Sequence, residues 1–277
     1  MTATALEVWG DPIDHSLSPV LHAAAYRRLG WAWTYGRRRV DEAAFADALA
    51  SEGPRLRGLS LTMPLKTAAH AAAASLDARA ELTGAVNTLV RAAGGWTGFN
   101  TDVGGIVAAL REQGLQTAST GRIVGAGATA MSALVALSEI GIRDLQVAAR
   151  RPEAVDALRR VGERLGMAVA AVPLSAARLP ARDVTVATLP GGVRLPDGVA
   201  DSLADGGGVL LDVVYGRGPT SLTEAWARRG APAADGEAML LHQAVRQIRA
   251  FATGDVTTPL PDEDDVLAVM RRALMGD

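Results

Sequence analysis

The chain has 277 residues, 49% of them hydrophobic and 21% charged, with a formal net charge of −2 and no cysteine. Near-neutral charge argues against a general nucleic-acid binder, absent cysteine excludes disulfides and thiolate metal sites, and no run reaches the roughly 20 apolar residues of a membrane span. The length sits where single cores tend to split, roughly 250–300 residues, so two domains are expected.

Short β-like runs alternate with helical patterns nearly throughout, as in an α/β protein with parallel strands and right-handed crossovers. Leu6–Gly10 reads as a strand, with Ser18 and Pro19 as N-cap and first residue of a helix to about Leu29. A strand over Trp33–Val40, a helix over Asp41–Ser51 and a strand over Leu56–Thr62 follow. Next comes Lys66, the one lysine among 28 basic residues. Arginine stays protonated in proteins, so it anchors an anion but cannot release and recover a proton. Where charge alone is needed this chain uses Arg, so the surviving amine is either a group that must titrate or fit a tight pocket, or a chance survivor of an Arg-biased composition solvated on a helix surface; the surrounding motifs decide. Ala71–Ala74 reads as helix filler, Asn87–Arg91 and Trp96–Gly98 as a hairpin around Ala93-Gly94-Gly95, and Asp102 as the start of a helix to about Gln113. The four histidines, His15, His22, His70 and His242, lack metal-ligand spacing and read as polar surface or capping residues, so no metal is expected.

After the polar stretch Gln116–Gly121 a second α/β series begins. Strands are expected at Arg122–Val124, Asp144–Ala149, Ala168–Val172, Val184–Ala187 and Val209–Val214, with helices at Gly127–Ile140 and Pro152–Leu165. The tail reads as helices Glu237–Ala250 and Asp262–Leu274. Gly125-Ala126-Gly127-Ala128-Thr129-Ala130 is a G-x-G-x-x-A turn between strand and helix. The first glycine makes the tight turn, the second admits a pyrophosphate, and the third small residue lets helix pack on strand. An NAD site places Asp or Glu at the end of the second strand, but this chain reads Ala148-Ala149-Arg150-Arg151-Pro152. Two guanidiniums suit a 2′-phosphate, so NADP(H) is the expected cofactor.

Further clusters are Asp14-His15-Ser16-Leu17-Ser18-Pro19, Leu61-Thr62-Met63-Pro64-Leu65-Lys66, Gly84-Ala85-Val86-Asn87-Thr88, Asn100-Thr101-Asp102 and Asp235-Gly236-Glu237-Ala238-Met239-Leu240-Leu241-His242-Gln243-Ala244. In this order around a nucleotide turn, they resemble the shikimate dehydrogenases across essentially the whole chain. The resemblance implies an N-terminal α/β substrate domain, 1–102, completed by C-terminal helices in 236–277, and a Rossmann-type doubly wound parallel-sheet NADP domain over 103–235. It implies reversible NADPH-dependent reduction of 3-dehydroshikimate to shikimate, in the chorismate route to aromatic amino acids. By that resemblance Lys66 and Asp102 are the catalytic pair. Ser16, Ser18 and Tyr215 bind the substrate carboxylate, and Thr62, Asn87 and Gln243 join Lys66 and Asp102 around the ring hydroxyls. Gly125, Ala126, Gly127, Ala128, Thr129, Arg150, Arg151 and Thr188 hold the nucleotide, while Gly236, Met239 and Val213 lie near the nicotinamide.

Taken singly, Ser18 and Asp102 also fit helix caps, Asn87 a turn and Gln243 a solvated helix position. The pattern departs from the family at Ser60-Leu61 and Leu65, where Asn-Val and Phe are usual, at Ala128 in the nucleotide turn, at Ala149-Arg150-Arg151 for Asn-Arg-Thr/Ser, and in the loop Ala187-Thr188-Leu189-Pro190-Gly191-Gly192. Competing readings are a quinate/shikimate dehydrogenase and a non-catalytic NADP(H)-binding regulator of the same fold. Residues Met1–Ala5 lack a basic, then apolar, leader, so a cytoplasmic protein is expected, taking a small-molecule substrate, without nucleic-acid or membrane partners, as a monomer or homodimer.

Overall fold

A computed structural model describes residues 4–175, 179–216 and 218–276. The chain divides into two compact units, Met1–Gly105 with Leu240–Asp277, and Ile106–Met239.

The first unit opens with β1 (Thr4–Gly10), α1 (Ser18–Leu29), β2 (Trp33–Arg39), α2 (Phe45–Ser51), β3 (Leu56–Leu61) and α3 (Lys66–Ala72). It continues with β4 (Ser75–Leu76), α4 (Ala78–Thr83), β5 (Thr88–Ala92), β6 (Gly95–Phe99) and the start of α5 (Thr101–Glu112). After the second unit, α10 (Glu237–Thr253) and α11 (Glu263–Met275) return to it. The sheet order is β2-β1-β3-β5-β6-β4. β1 pairs parallel with β2 and β3, whereas β5 pairs antiparallel with both β3 and β6. Consequently the C-terminal ends of β1, β3 and β6 and the N-terminal start of β5 share one sheet edge. Trp9, Leu59, Leu65 and Leu89 are fully buried around Phe45, whose ring meets Trp9 edge-on at 6.2 Å. Each such aliphatic side chain contributes on the order of 1.5–3 kcal/mol by leaving water.

The second unit carries β7 (Thr120–Val124), α6 (Ala128–Glu139), β8 (Asp144–Ala149), α7 (Asp156–Arg164), β9 (Ala168–Pro173) and β10 (Val184–Ala187). It ends with α8 (Asp197–Ala204), β11 (Val209–Asp212), α9 (Ser221–Arg228) and β12 (Ala233–Ala234). All its strands are parallel in the order β12-β11-β10-β7-β8-β9. The chain starts mid-sheet and winds outward both ways, the doubly wound Rossmann order. The switch point lies between β7 and β10, where such sheets open a crevice for ligands. Arg122 on β7 is fully buried without a carboxylate partner among its hydrogen bonds. Its guanidinium donates to Gln146 Oε1, Pro180 O and Leu203 O at the C-terminal end of α8, and burial pulls it down to about 10. Among the described residues no helix is long and apolar enough to cross a membrane.

Several expectations need correction. Ser18 is not the N-cap of α1; Leu17 is, without a side-chain bond, and Ser18 is the first helical residue. The second helix begins at Phe45 because the Asp41 carboxylate accepts from Ala44 N and holds the preceding residues in a turn. Ala73 and Ala74 leave the helix: Ala74 N donates to Trp96 O at 2.7 Å, drawing the chain toward the sheet edge as β4. Pro152–Val155 is a 3-10 turn before α7, and β11 ends at Asp212. His22 is fully buried, stacked on Tyr35 with ring centroids 3.8 Å apart, rather than a surface or capping residue.

Candidate active site

The shared edge of the first sheet collects the predicted substrate residues by topology. Ser16 and Ser18 follow β1, Thr62 and Lys66 follow β3, Asn87 precedes β5, and Asp102 follows β6. Register tightens the grouping: Trp9 lies opposite Leu61, Ser60 opposite Thr88, and Thr88 opposite Phe99. Gly10 lets the lysine loop settle there. A β-carbon on it would stand 2.4 Å from Thr62 Cγ2 and 2.9 Å from Met63 O, where Asp11 N donates.

At the centre Lys66 Nζ donates to Asp102 Oδ2 at 2.6 Å, with side chains only 14% and 7% exposed. Such a short charge-assisted bond in a dry setting is strong and directional. Asn87 Nδ2 donates to Asp102 Oδ1 at 2.7 Å and to Thr101 Oγ1 at 2.9 Å. Its Oδ1 accepts from Thr101 N and Thr88 Oγ1, both at 2.9 Å, which fixes the amide orientation. Both Nδ2 hydrogens are therefore committed, and contact with a substrate hydroxyl would displace Thr101 or Asp102. Asp102 does not cap α5. Asn100 Oδ1 accepts from Val103 N at 3.3 Å in that role, leaving the Asp102 carboxylate to Lys66 and Asn87.

Two further predicted residues have partners within the protein. Ser16 Oγ accepts from Ser18 N at 3.3 Å, so the first hydroxyl shapes the entry to α1. Gln243 is buried rather than solvated, its amide donating to Leu240 O. Beneath the pair runs a buried polar chain that sequence reading missed. Tyr35 donates to Ser60 Oγ at 2.6 Å, Ser60 to Gln247 Oε1 at 2.9 Å, and Gln247 Nε2 to Asn87 O at 3.3 Å. His22 Nε2 stands 3.3 Å from Gln247 Oε1, and its Nδ1 is 2.9 Å from the Tyr26 hydroxyl. Because the Gln247 amide donates to Asn87, its oxygen faces His22, which makes Nε2–H the donor. Burial pushes His22 down to about 3, so the ring is neutral.

The C-terminal edge of the second sheet carries the predicted nucleotide residues: Gly125 after β7, Arg150 and Arg151 after β8, Thr188 after β10 and Val213 after β11; Tyr215, expected at the substrate carboxylate, also follows β11. Gly125 has φ +115°, and a β-carbon would stand 2.6 Å from Thr188 Oγ1. At Gly127 a β-carbon would meet nothing within 4 Å, and no side chain caps α6 there. Free helix amides above an open, side-chain-free surface fit a pyrophosphate. Ala130 is fully buried, as helix–strand packing requires. Thr129 lies in the first turn of α6, next to Ala128. A cavity of about 510 Å³ opens beside Ala149, Arg150 and Leu189; Arg151 lies outside its lining, whereas Arg194, unanticipated from sequence, lies within it. The segment after β11 is held by Asp212, whose buried carboxylate accepts from Val214 N and Thr220 Oγ1. Gly236 N donates to Val214 O at 3.0 Å, and Met239 is buried in α10.

Residues 8–89 match the model of the shikimate dehydrogenase substrate binding domain. A shikimate dehydrogenase (NADP(+)) from Rubrobacter xylanophilus is 36% identical, covering 97% of this chain and 94% of its own. Among solved structures, the Mycobacterium tuberculosis shikimate dehydrogenase superposes with a TM-score of 0.84 at 38% identity, covering 99% of this chain and 100% of that one. The shikimate 5-dehydrogenase of Thermus thermophilus, solved with NADP(H) and shikimate, gives 0.78 at 31% identity over 97% of this chain and 99% of that one. The 5-ketofructose reductase of a Gluconobacter species shares the fold at a TM-score of 0.83 but only 21% identity, over 99% of each chain, so architecture by itself does not select a substrate. Identity sustained along the full length, together with the matched substrate-domain model, goes beyond architecture: the chain belongs to the shikimate dehydrogenase family.

Proposed function

We propose that this protein is an NADP-dependent shikimate dehydrogenase, reducing 3-dehydroshikimate reversibly to shikimate. The observation that carries the reading is the Lys66–Asp102 pair, 2.6 Å apart and locked by Asn87 at the edge where Ser16, Ser18 and Thr62 also converge. Bound NADPH supplies the hydride that reaches the carbonyl carbon. Negative charge then grows on the carbonyl oxygen, and the Lys66 ammonium stabilises it and donates the proton. In the oxidative direction the neutral Lys66 amine takes the hydroxyl proton. Asp102 holds the ammonium in position and can accept from a ring hydroxyl. A pocket of Ser, Thr, Asn and Gln suits a polyol acid, since groups built to bind hydroxyls discriminate strongly against analogues lacking them. Ser16, Ser18 and Tyr215 are assigned to the carboxylate, and Gln243 and Thr62 to the ring hydroxyls.

The test is initial-rate turnover of the purified chain with shikimate and NADP⁺, shikimate and NAD⁺, and quinate and NADP⁺. The first pair should give the highest kcat/KM. Equal efficiency with quinate would assign the broader quinate/shikimate activity, and no turnover with any pair would point to the non-catalytic regulator.

A further inference from the structure

We propose that Arg194 is a second cationic ligand for the nucleotide's 2′-phosphate, joining Arg150 from a separate segment of the chain that lines the same cavity. The proposal rests on the NADP reading and deepens it. It comes from the cavity of about 510 Å³ at the C-terminal ends of β8 and β9. Ala149, Pro152 and Pro173 line it from the ends of β8 and β9, and the segment between β10 and α8 supplies Leu189 and Leu195. Apolar walls and this volume suit a purine with its ribose.

Among the described lining residues, Arg150 and Arg194 are the charged ones, and no carboxylate accompanies them. Two guanidiniums lining an apolar pocket that no carboxylate lines call for a multivalent anion, and planar forks match phosphate oxygens two at a time. A nucleotide bearing a 2′-phosphate brings such an anion where an unphosphorylated ribose brings only hydroxyls. Arg194 is also free to turn toward it. Its side chain is 76% exposed, and its ion-pair partner, Glu224, is 3.5 Å away and itself 40% exposed. An exposed pair at that distance is worth little and yields readily to a closer phosphate. Arg151, by contrast, begins the 3-10 turn outside the cavity. The second cation is thus provided by a distant segment rather than by the residue next to Arg150, which is why no local motif announces it.

Calorimetric titration of the full chain with 2′,5′-ADP and with 5′-ADP isolates the phosphate contribution without turnover. The wild-type protein should bind 2′,5′-ADP more tightly. Arg194→Gln should weaken 2′,5′-ADP about tenfold and leave 5′-ADP unchanged, the loss of one charged hydrogen-bonding group. Arg194→Lys, which keeps charge but not the fork, should fall between. Arg164→Gln, an exposed arginine at the end of α7, controls for overall charge and should match wild type. A wild-type protein that does not prefer 2′,5′-ADP would sink the NADP reading itself. A wild-type preference left intact in Arg194→Gln, or lost equally in Arg164→Gln, would overturn the role of Arg194 while the NADP reading stands.

Discussion

The two units prepare for their ligands by different means. At the edge of the first sheet, side chains are already committed to one another: Lys66, Asp102, Asn87, Thr101 and Thr88 form a closed set of hydrogen bonds with little exposure. At the edge of the second, the main features are missing side chains, Gly125 and Gly127, and exposed arginines with weak or distant partners. The first arrangement fixes the position and charge of a few atoms and should govern rate. The second leaves backbone amides and exposed cations to meet an anion, and should govern affinity and choice of nucleotide. Substitutions at the two edges should therefore separate kcat from binding.

The largest expected effect is at Lys66. Lys66→Arg keeps the positive charge, so substrate binding survives in part, but it replaces a compact ammonium that can release its proton with a planar fork that cannot. kcat should fall about 10²–10⁴-fold, the usual cost of losing general acid–base help, while KM changes far less. Near-normal kcat would reduce Lys66 to an electrostatic anchor and erase the contrast between the edges. Arg150→Asp should act the other way. The ratio of kcat/KM for NADP⁺ over NAD⁺ should drop roughly 10- to 100-fold, because a charged hydrogen bond to phosphate is lost and a like charge faces it. The ratio should fall through NADP⁺ affinity, with kcat at saturation largely kept; a loss confined to kcat would contradict the division of labour.

The smallest effect concerns the support beneath the pair. His22, held down to about 3 by burial, is neutral in the fold but takes up a proton near 6.5 once unfolded. Between those values the unfolded state binds the extra proton, so the stability contributed by neutral His22 is complete above 6.5 and is lost as pH falls toward 3. His22→Phe keeps the ring stacked on Tyr35 and removes the titration. It should be less stable than wild type at pH 7.5 by about 1–3 kcal/mol, from unmade hydrogen bonds. That gap should narrow by about 1.4 kcal/mol per pH unit below about 6.5. Denaturant melts of both proteins at about pH 7.5, 6.5 and 5.5 measure it, and a constant gap would mean His22 does not titrate on unfolding.

What could be read in advance follows from how local each signal was. The Gly125–Ala130 turn, the strand before it and the helix after it are contiguous, and they stand where expected within a residue or two. Lys66 was visible through composition alone, whereas its pairing with Asp102 came only through the family resemblance. The buried chain through His22, Ser60 and Gln247 was not legible: His22 and Gln247 lie 225 positions apart, and each polar side chain on its own element looks like a surface residue. Of α3 only the alanine end at Ala71 was read as helix, and α4 was missed because six residues are too few to show a hydrophobic period. α8 and α9, only eight residues each, escaped for the same reason. The second sheet met the expectation of parallel strands; the antiparallel β5 appeared only as a hairpin signal, because its pairing with β3 depends on a crossover that sequence spacing does not encode.

Lys66 has a consequence outside catalysis. It is the chain's only side-chain amine, and it is 14% exposed at the edge of the sheet. Acylation has no decoy lysines here, so apart from the α-amino group every acyl mark on a side-chain amine falls on the proposed proton donor. In a lysine-rich enzyme most such marks are silent; in this one, a mass increment mapped to the peptide that carries Lys66 would count inactivated molecules directly.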